Sequence, residues 1–427
     1  MSIATVSSVP SLAVTLGAVP SPTRYATGGP RPEPGTINRL FFEATEKVDR
    51  PDALVHKVRG VWEPISHKTI LERVRRTALG LARLGILPQD RVAILSENRP
   101  EWVIADYACL CSSITDVPIY PTLPAEQIPY LLNDSGARAI FVSTPQQAQK
   151  IASVRSQAPA LQWIIGFAAT KGDGCDLTLA DIEALGAQDD TPARAEQFKR
   201  DALAVSPDQL ITLIYTSGTT GNPKGVMLTQ DNLYSNCVAT VNSMAVGPKD
   251  SALSFLPLSH IFERMGDYYL FANGVKIMYA ESIDTVPVNM SELKPTMMMS
   301  VPRLYEKIYA RVVENAVSGG GLKKRIFFWA KNVGERWADV KLARREPAGL
   351  LAWQYGIAKK LVFSKLQERT GGNLRFFVSG GAPLSPDIAK FFYSAGLIIL
   401  EGYGLTETSP VISSNNLEHF RIGTVGR

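Results

Sequence analysis

The sequence predicts an α/β fold: two packed α/β subdomains with mainly parallel sheets, plus a smaller β region. Three patterns carry this expectation. Short apolar runs of strand length alternate with helical patterns; a second such alternation begins near residue 209; and glycine turns repeatedly follow apolar runs, as where a strand runs out into a loop. A length of 427 residues, 45% of them hydrophobic, is ample for a large buried core. The expected divisions are a disordered leader over 1–35, a first α/β subdomain over 36–205 and a second over 206–427, where the glycine turns lie.

Taken in order, the first thirty-odd residues are rich in Ser, Thr, Pro, Gly and Ala, with Arg24 and Arg31 but no acid before Glu33. A solvated leader and a cleaved targeting segment both fit that composition. From Lys68 to Leu84 apolar residues recur at spacings of three and four, and Gly85 supplies a stop, which predicts a helix. Arg91 to Leu95 is a short apolar run suited to a buried strand. A helix from Glu101 to Cys111, an extended segment from Ser113 to Ile119, a helix from Glu126 to Asn133 and a strand from Ala139 to Val142 follow by the same reasoning. The polar, acidic stretch from Ala168 to Asp208 reads as a surface excursion ahead of the second unit.

Charge and cysteine usage exclude several classes. The formal charge is +5, and its Lys and Arg residues are spread along the chain, which argues against a dedicated nucleic-acid binder. The four cysteines, Cys109, Cys111, Cys175 and Cys237, form no CxxC pair, and no zinc-ligand spacing is present. A reduced, cytoplasmic setting fits. No run approaches about 18 uninterrupted apolar residues, so a spanning helix is not expected.

The chemistry concentrates after the apolar run from Gln209 to Tyr215. There Thr216, Ser217, Gly218, Thr219, Thr220, Gly221, Asn222, Pro223, Lys224 and Gly225 follow at once. Glycines let backbone N–H groups turn inward around an anion, hydroxyls add donors and a lysine adds charge, which is what a polyphosphate requires. The GxxxxGK[ST] loop is a different pattern, since Gly225 follows Lys224 here. A flexible surface linker would not begin on a buried strand. The run YTSGTTGNPKGVMLT is similar to the phosphate-loop signature of the AMP-forming adenylating enzymes, the superfamily of acyl-CoA synthetases, luciferases and amino-acid adenylation domains.

Further stretches resemble the same superfamily in the same order. Leu256 to Arg264 reads LPLSHIFER, and the resemblance places His260 by the substrate carboxylate and the α-phosphate; alone, it would pass for a structural histidine. Ser379, Gly380, Gly381, Ala382 and Pro383 follow an apolar run and would wall an adenine slot, where missing side chains let a flat base approach the backbone. Taken without context they make a tight turn. Leu397 to Pro410 reads LIILEGYGLTETSP. By resemblance Gly402, Tyr403 and Gly404 take the adenine, Tyr403 by stacking, while Thr406 meets the α-phosphate and Glu407 holds Mg²⁺.

The resemblance implies a two-step reaction. A carboxylate displaces pyrophosphate from Mg·ATP, and a thiol then displaces AMP, with Lys224, His260 and Thr406 carrying the first step by position and charge. ATP, Mg²⁺ and coenzyme A are the implied cofactors. VPRLYEKI and LPLSHIFER are most similar to long-chain fatty acyl-CoA synthetases, and Met298 and Val301, in the apolar zone from Pro295, are candidate acyl contacts. Ordinary core is an equal reading of those methionines. Between Gly321 and Arg345 a basic, aromatic helical pattern suits either an anionic membrane surface or a solvated helix packed on the domain. The expected partners are a fatty acid, ATP and CoA, with no nucleic acid; peripheral membrane contact on the cytoplasmic face and a homodimer are further expectations. The family's later ribose-binding aspartate, hinge and lysine-bearing small domain have no counterpart within the 427 residues, so the chain is expected to bind nucleotide better than it turns it over. Two rival readings remain: an acyl-acyl carrier protein synthetase, and a non-catalytic nucleotide- or acyl-binding module.

Overall fold

The computed structural model describes residues 33–216, 221–241 and 244–426. The expected leader falls almost wholly outside them, as do Ser217, Gly218, Thr219 and Thr220. Residues from Pro34 onward make up one unit, and its strands are as follows. β1 (Leu54–Val58) and β2 (Val61–Ile65) form a hairpin. β3 (Arg91–Leu95), β4 (Thr115–Ile119), β5 (Ala139–Val142), β6 (Trp163–Gly166) and β7 (Leu177–Thr178) alternate with helices. β8 (Leu210–Thr216) and β9 (Lys224–Thr229) make a second hairpin. β10 (Ser251–Ser254), β11 (Lys276–Tyr279), β12 (Met297–Ser300), β13 (Phe376–Ser379) and β14 (Ile398–Gly404) alternate with helices again, and β15 (Val411–Ser414) follows antiparallel to β14.

Two mixed, mainly parallel sheets result. One runs β7-β6-β5-β3-β4-β8-β9, the other β15-β14-β13-β12-β10-β11-β1-β2. In each, a parallel interior ends in an antiparallel hairpin, β8–β9 in the first and β1–β2 and β14–β15 in the second. The interior strands β3, β4, β5, β10 and β12 are almost entirely buried, because helices cover both faces of a parallel sheet. Sheet membership crosses the division expected at residue 205: β1–β2 pair into the second sheet through β11, and β8–β9 complete the first through β4.

The stretch from Ala168 to Asp208 departs from the expected surface excursion. It holds two helices, Leu179–Ala187 and Pro192–Leu203, each opened by a threonine cap; Thr178 and Asp181 cap each other reciprocally, and Thr191 accepts from Arg194 N–H. The first of these packs against helix His67–Arg83. At the crossing a Cβ on Gly186 would sit 1.9 Å from the Arg76 carbonyl oxygen, and one on Gly80 would sit 2.1 Å from that of Ile182. Only glycines permit backbones this close.

A buried ionic cluster ties the two sheets together. Arg264, on helix Ile261–Ala272, donates to Asp106 on helix Pro100–Cys111 and to both carboxylate oxygens of Asp116 on β4. It also donates to Thr212 on β8 at 2.9 Å and to the Tyr268 hydroxyl at 2.8 Å. All three charged residues are at most 1% exposed. Tyr268 donates in turn to Asp106. Burial pushes the Asp106 carboxyl up to about 8 against the pull of the guanidinium, as expected where two acids share one cation out of water.

Candidate active site

In the second sheet the chain leaves β10 for β11 on one side, then returns to place β12 on β10's other side. A crevice opens at the carboxyl ends of strands where the winding direction reverses in this way. The loops at those ends carry His260 after β10, Val301 after β12, Gly380 and Gly381 after β13, and Tyr403 and Gly404 at the end of β14.

Asn98, in the loop after β3, joins the two sheets' carboxyl edges. Its Nδ2 donates to the Leu256 carbonyl at 2.6 Å and to Ser254 Oγ at 3.3 Å, and its Oδ1 accepts from Leu258 N–H at 2.9 Å. That amide braces the loop leading to His260. His260 caps helix Ile261–Ala272, its Nδ1 accepting from Phe262 N–H at 3.1 Å. The residue keeps a solvent-open side, yet the surrounding protein desolvates the ring and lowers its pKa. With Nδ1 occupied as acceptor, the neutral ring carries its proton on Nε2, a donor suited to a carboxylate or phosphate oxygen.

The glycine turn after β13 closes against this helix. A Cβ on Gly380 would meet the Phe262 ring at 3.1 Å, and one on Gly381, whose φ is +81°, would lie 3.7 Å from Val301. The structure thus brings His260, Val301, Gly380 and Gly381 together. Ser379 is buried and its hydroxyl has no partner in ordinary hydrogen-bond geometry among the described residues, while Ala382 and Pro383 are exposed. Met298 lies elsewhere: it is fully buried in the core with Leu253, Leu304 and Phe377. Its neighbour Met299 packs on Gly266 instead.

The turn after β14 closes by Leu405 N–H donating to the Pro410 carbonyl at 3.1 Å. Gly404 is obligatory, since a Cβ there would fall 2.0 Å from the same carbonyl oxygen. Tyr403 is 49% exposed. Gly402 and Thr406 are half-buried and Glu407 is exposed. Asn236 both donates to and accepts from the Val411 backbone, pinning β15 to helix Gln230–Val241.

The β8–β9 hairpin reaches this turn. β9, which begins at Lys224, runs with Cα atoms within 8 Å of Thr406–Thr408. Thr216 is half-buried at the end of β8, Gly221 and Lys224 are exposed, and Gly221 has a φ of +101°. The hairpin is anchored where Tyr130 donates to the Pro223 carbonyl at 3.1 Å and Tyr215 to Asp134 at 2.6 Å. Glu407 makes no hydrogen bond or ion pair among the described residues, and no cluster of three or more His, Cys, Asp or Glu ligands occurs there. A single free carboxylate fits Mg²⁺, which is commonly held by one or two carboxylates together with substrate phosphates.

Asn98 escapes sequence reasoning, because a single amide after a strand gives no sign of the loop it braces. So does the buried pair Glu263 and Asp267. Neither oxygen of Glu263 has a partner in ordinary hydrogen-bond geometry, and Asp267 accepts from Tyr279 at 2.9 Å. Burial pushes Glu263 well up and Asp267 to about 7. The i, i+4 spacing of two acids beside apolar residues was their one available signal.

The loops that carry His260, Val301, Gly380 and Tyr403 all lie at the carboxyl ends of strands in one mainly parallel sheet, the arrangement of a ligand-binding α/β protein. The model of the AMP-binding enzyme family matches residues 41–427, and the chain belongs to that family. It is 37% identical over 400 residues to the long-chain-fatty-acid–CoA ligase FadD15 of Mycobacterium bovis, and 36% identical over 400 residues to that of Mycobacterium tuberculosis. Each alignment covers 92% of this chain and 64% of the relative, so the chain spans under two thirds of those proteins' length. Among solved structures, the N-terminal domain of FACL13 from Mycobacterium tuberculosis superposes with a TM-score of 0.68 at 21% identity, covering 92% of this chain and 82% of that one.

Proposed function

We propose that the chain is the nucleotide- and acid-binding portion of a long-chain fatty acyl-CoA ligase. It adenylates a fatty acid with Mg·ATP before a thiol, coenzyme A in this reading, accepts the acyl group. The observation that supports the proposal is the approach of the Lys224 hairpin to the Thr406–Thr408 turn, near enough for one nucleotide to touch both. On this reading the loop of residues 216–221 with Lys224 holds the β- and γ-phosphates, Gly402 to Gly404 and Ser379 to Pro383 flank the adenine, and Thr406 meets the α-phosphate. Glu407 holds Mg²⁺, which when bound draws charge from the leaving pyrophosphate. His260 donates Nε2–H to the oxygen developing charge at phosphorus, and Val301 borders the acyl group. Met298 supports the wall from behind. A fatty acid as substrate is supported by likeness to ligases of that name at over a third identity, and a cytoplasmic site of action accords with the free, buried cysteines.

Calorimetric titration tests the reading. The chain is expected to bind Mg·ATP, with Lys224→Ala and Glu407→Ala each weakening binding about tenfold or more at unchanged fold. It is expected to bind a non-hydrolysable long-chain acyl-adenylate analogue more tightly than an acetyl one, with His260→Ala and Thr406→Val weakening both. A folded chain that binds neither ligand refutes the proposal, and product analysis with coenzyme A and with acyl carrier protein decides the thiol.

A further inference from the structure

Helix Ile261–Ala272 carries two acids that the adenylation chemistry leaves unused, Glu263 one turn after His260 and Asp267 one turn further on. Both are buried. A glutamate at the third position of a helix ordinarily reaches back to the N–H of the capping residue. Here the His260 N–H donates instead to the Pro257 carbonyl at 2.9 Å. Neither Glu263 oxygen, nor Asp267 Oδ1, has a partner in ordinary hydrogen-bond geometry among the described residues. Arg264, the one cation of the helix, is committed to Asp106 and Asp116. Two acids buried together without a cation cost stability, and such breaches of the packing rules gather at functional sites.

The pair faces the start of the loop that leads to His260. β10 ends at Ser254, and that loop begins at Phe255. Burial and the neighbouring Asp267 push the Glu263 carboxyl well up, and the groups that pull it back are the Ser254 hydroxyl and the Phe255 N–H. Asp267, pushed up by burial, is pulled back by Tyr279, which donates to it at 2.9 Å, and again by Ser254. Ser254 Oγ accepts from Asn98 Nδ2 at 3.3 Å, so its own proton is free for a carboxylate. A small cavity beside Asp267 is lined by Asp106 and Tyr107 from helix Pro100–Cys111, by Tyr279 from β11, and by Arg264 and Tyr268 from its own helix. None of these is a free cation, so the two acids keep at least one proton between them at neutral pH.

We propose that Glu263 and Asp267 are positioning residues for His260. Their carboxyls anchor Ser254 and Phe255 where the loop of residues 255–260 begins. Asn98 holds its middle through Leu256 and Leu258, and the helix cap holds its end. The imidazole is thus fixed from three sides by groups that never touch a ligand. The inference deepens the proposed adenylation and rests on it, since a fixed imidazole matters only to a ligand that meets it. Structural and positioning roles predict opposite signs. Acids that served only to stabilise the core would lower stability and affinity together when removed, whereas positioning acids lower affinity and leave the core as stable or more so.

Glu263→Met fills a similar volume with apolar atoms. It is expected to leave the thermal midpoint equal to or above that of the wild type, while weakening the non-hydrolysable long-chain acyl-adenylate analogue about tenfold and sparing Mg·ATP. Glu263→Gln keeps an acceptor for the Phe255 N–H and gains a donor for Asp267, so it is expected to regain most of the affinity lost in Glu263→Met. Asp267→Leu and Asp267→Asn are expected to repeat the contrast. A folded Glu263→Met chain that binds the analogue as the wild type does overturns the proposal, and so does a Glu263→Gln chain that binds no better than Glu263→Met. Affinity lost in step with a lowered melt also overturns it, because the acids would then be structural. A wild type that binds neither ligand removes the ligase reading and this inference together, whereas variants that leave binding unaltered remove the inference alone.

Discussion

His67 offers a stability test that depends on one ring. It opens helix His67–Arg83, is fully buried, and accepts Arg50 N–H on Nδ1 at 3.1 Å. Its Nε2 has no partner, and the ring meets Phe271 edge-on at 4.8 Å. Desolvation, helped by the Arg50 charge, lowers its pKa from the ordinary 6.5 to about 4. Between those values the unfolded chain binds a proton that the folded chain refuses, so stability contributed by the neutral ring is complete above the unfolded value and lost as pH falls towards the folded one. At about 1.4 kcal/mol per pH unit this amounts to about 3 kcal/mol. Urea unfolding of the wild type and of His67→Gln, whose amide oxygen can still accept Arg50 N–H, measures it from about pH 7.5 to about pH 4.5. Other acids titrate alike in both proteins, so the expected result is that the wild type loses about 2 to 3 kcal/mol more than the variant over that range. Parallel pH curves would mean that the folded protein accommodates the protonated ring, and the argument from burial would be wrong.

Two further substitutions probe the parts that join the sheets. Arg264→Met strands Asp106 and Asp116 in the core and is expected to destabilise by about 3 to 5 kcal/mol, with Asp106→Asn in the same chain restoring part of the loss; additive effects in that cycle would show that the groups are not coupled. Asn98→Ala removes the brace on the loop before His260 and is expected to weaken the acyl-adenylate analogue about tenfold while sparing Mg·ATP. Equal loss of both ligands would point to general unfolding of the site, and no loss would dismiss the brace.

Segments whose structure follows from nearest neighbours were legible in the sequence. The strands at Arg91 to Leu95 and Ala139 to Val142 appear with the expected bounds, because an apolar run between polar breaks has one way to be buried. The capped helices between Ala168 and Asp208 were hidden by their polarity: Leu179–Ala187 buries Leu179, Ile182 and Gly186 and leaves its other side to solvent. The partition into sheets was not legible at all, since the pairing of Leu54 with Ile277 depends on strands far apart in the chain. At the candidate site, motif residues announce themselves by type and spacing, whereas Asn98, Arg264 and the Glu263–Asp267 pair gain their roles from what tertiary packing sets beside them.

The crossing of hairpins between sheets also sets a timetable for synthesis. The sheet ending in β9 has all its strands once residue 229 has emerged, but β1 at Leu54–Val58 must wait for β11 at Lys276–Tyr279. At roughly 5 to 20 residues per second that delay lasts on the order of ten seconds or more. During it a hairpin with an unpaired edge stands open beside the ribosome, and a chaperone that shields such edges has its natural moment of action there.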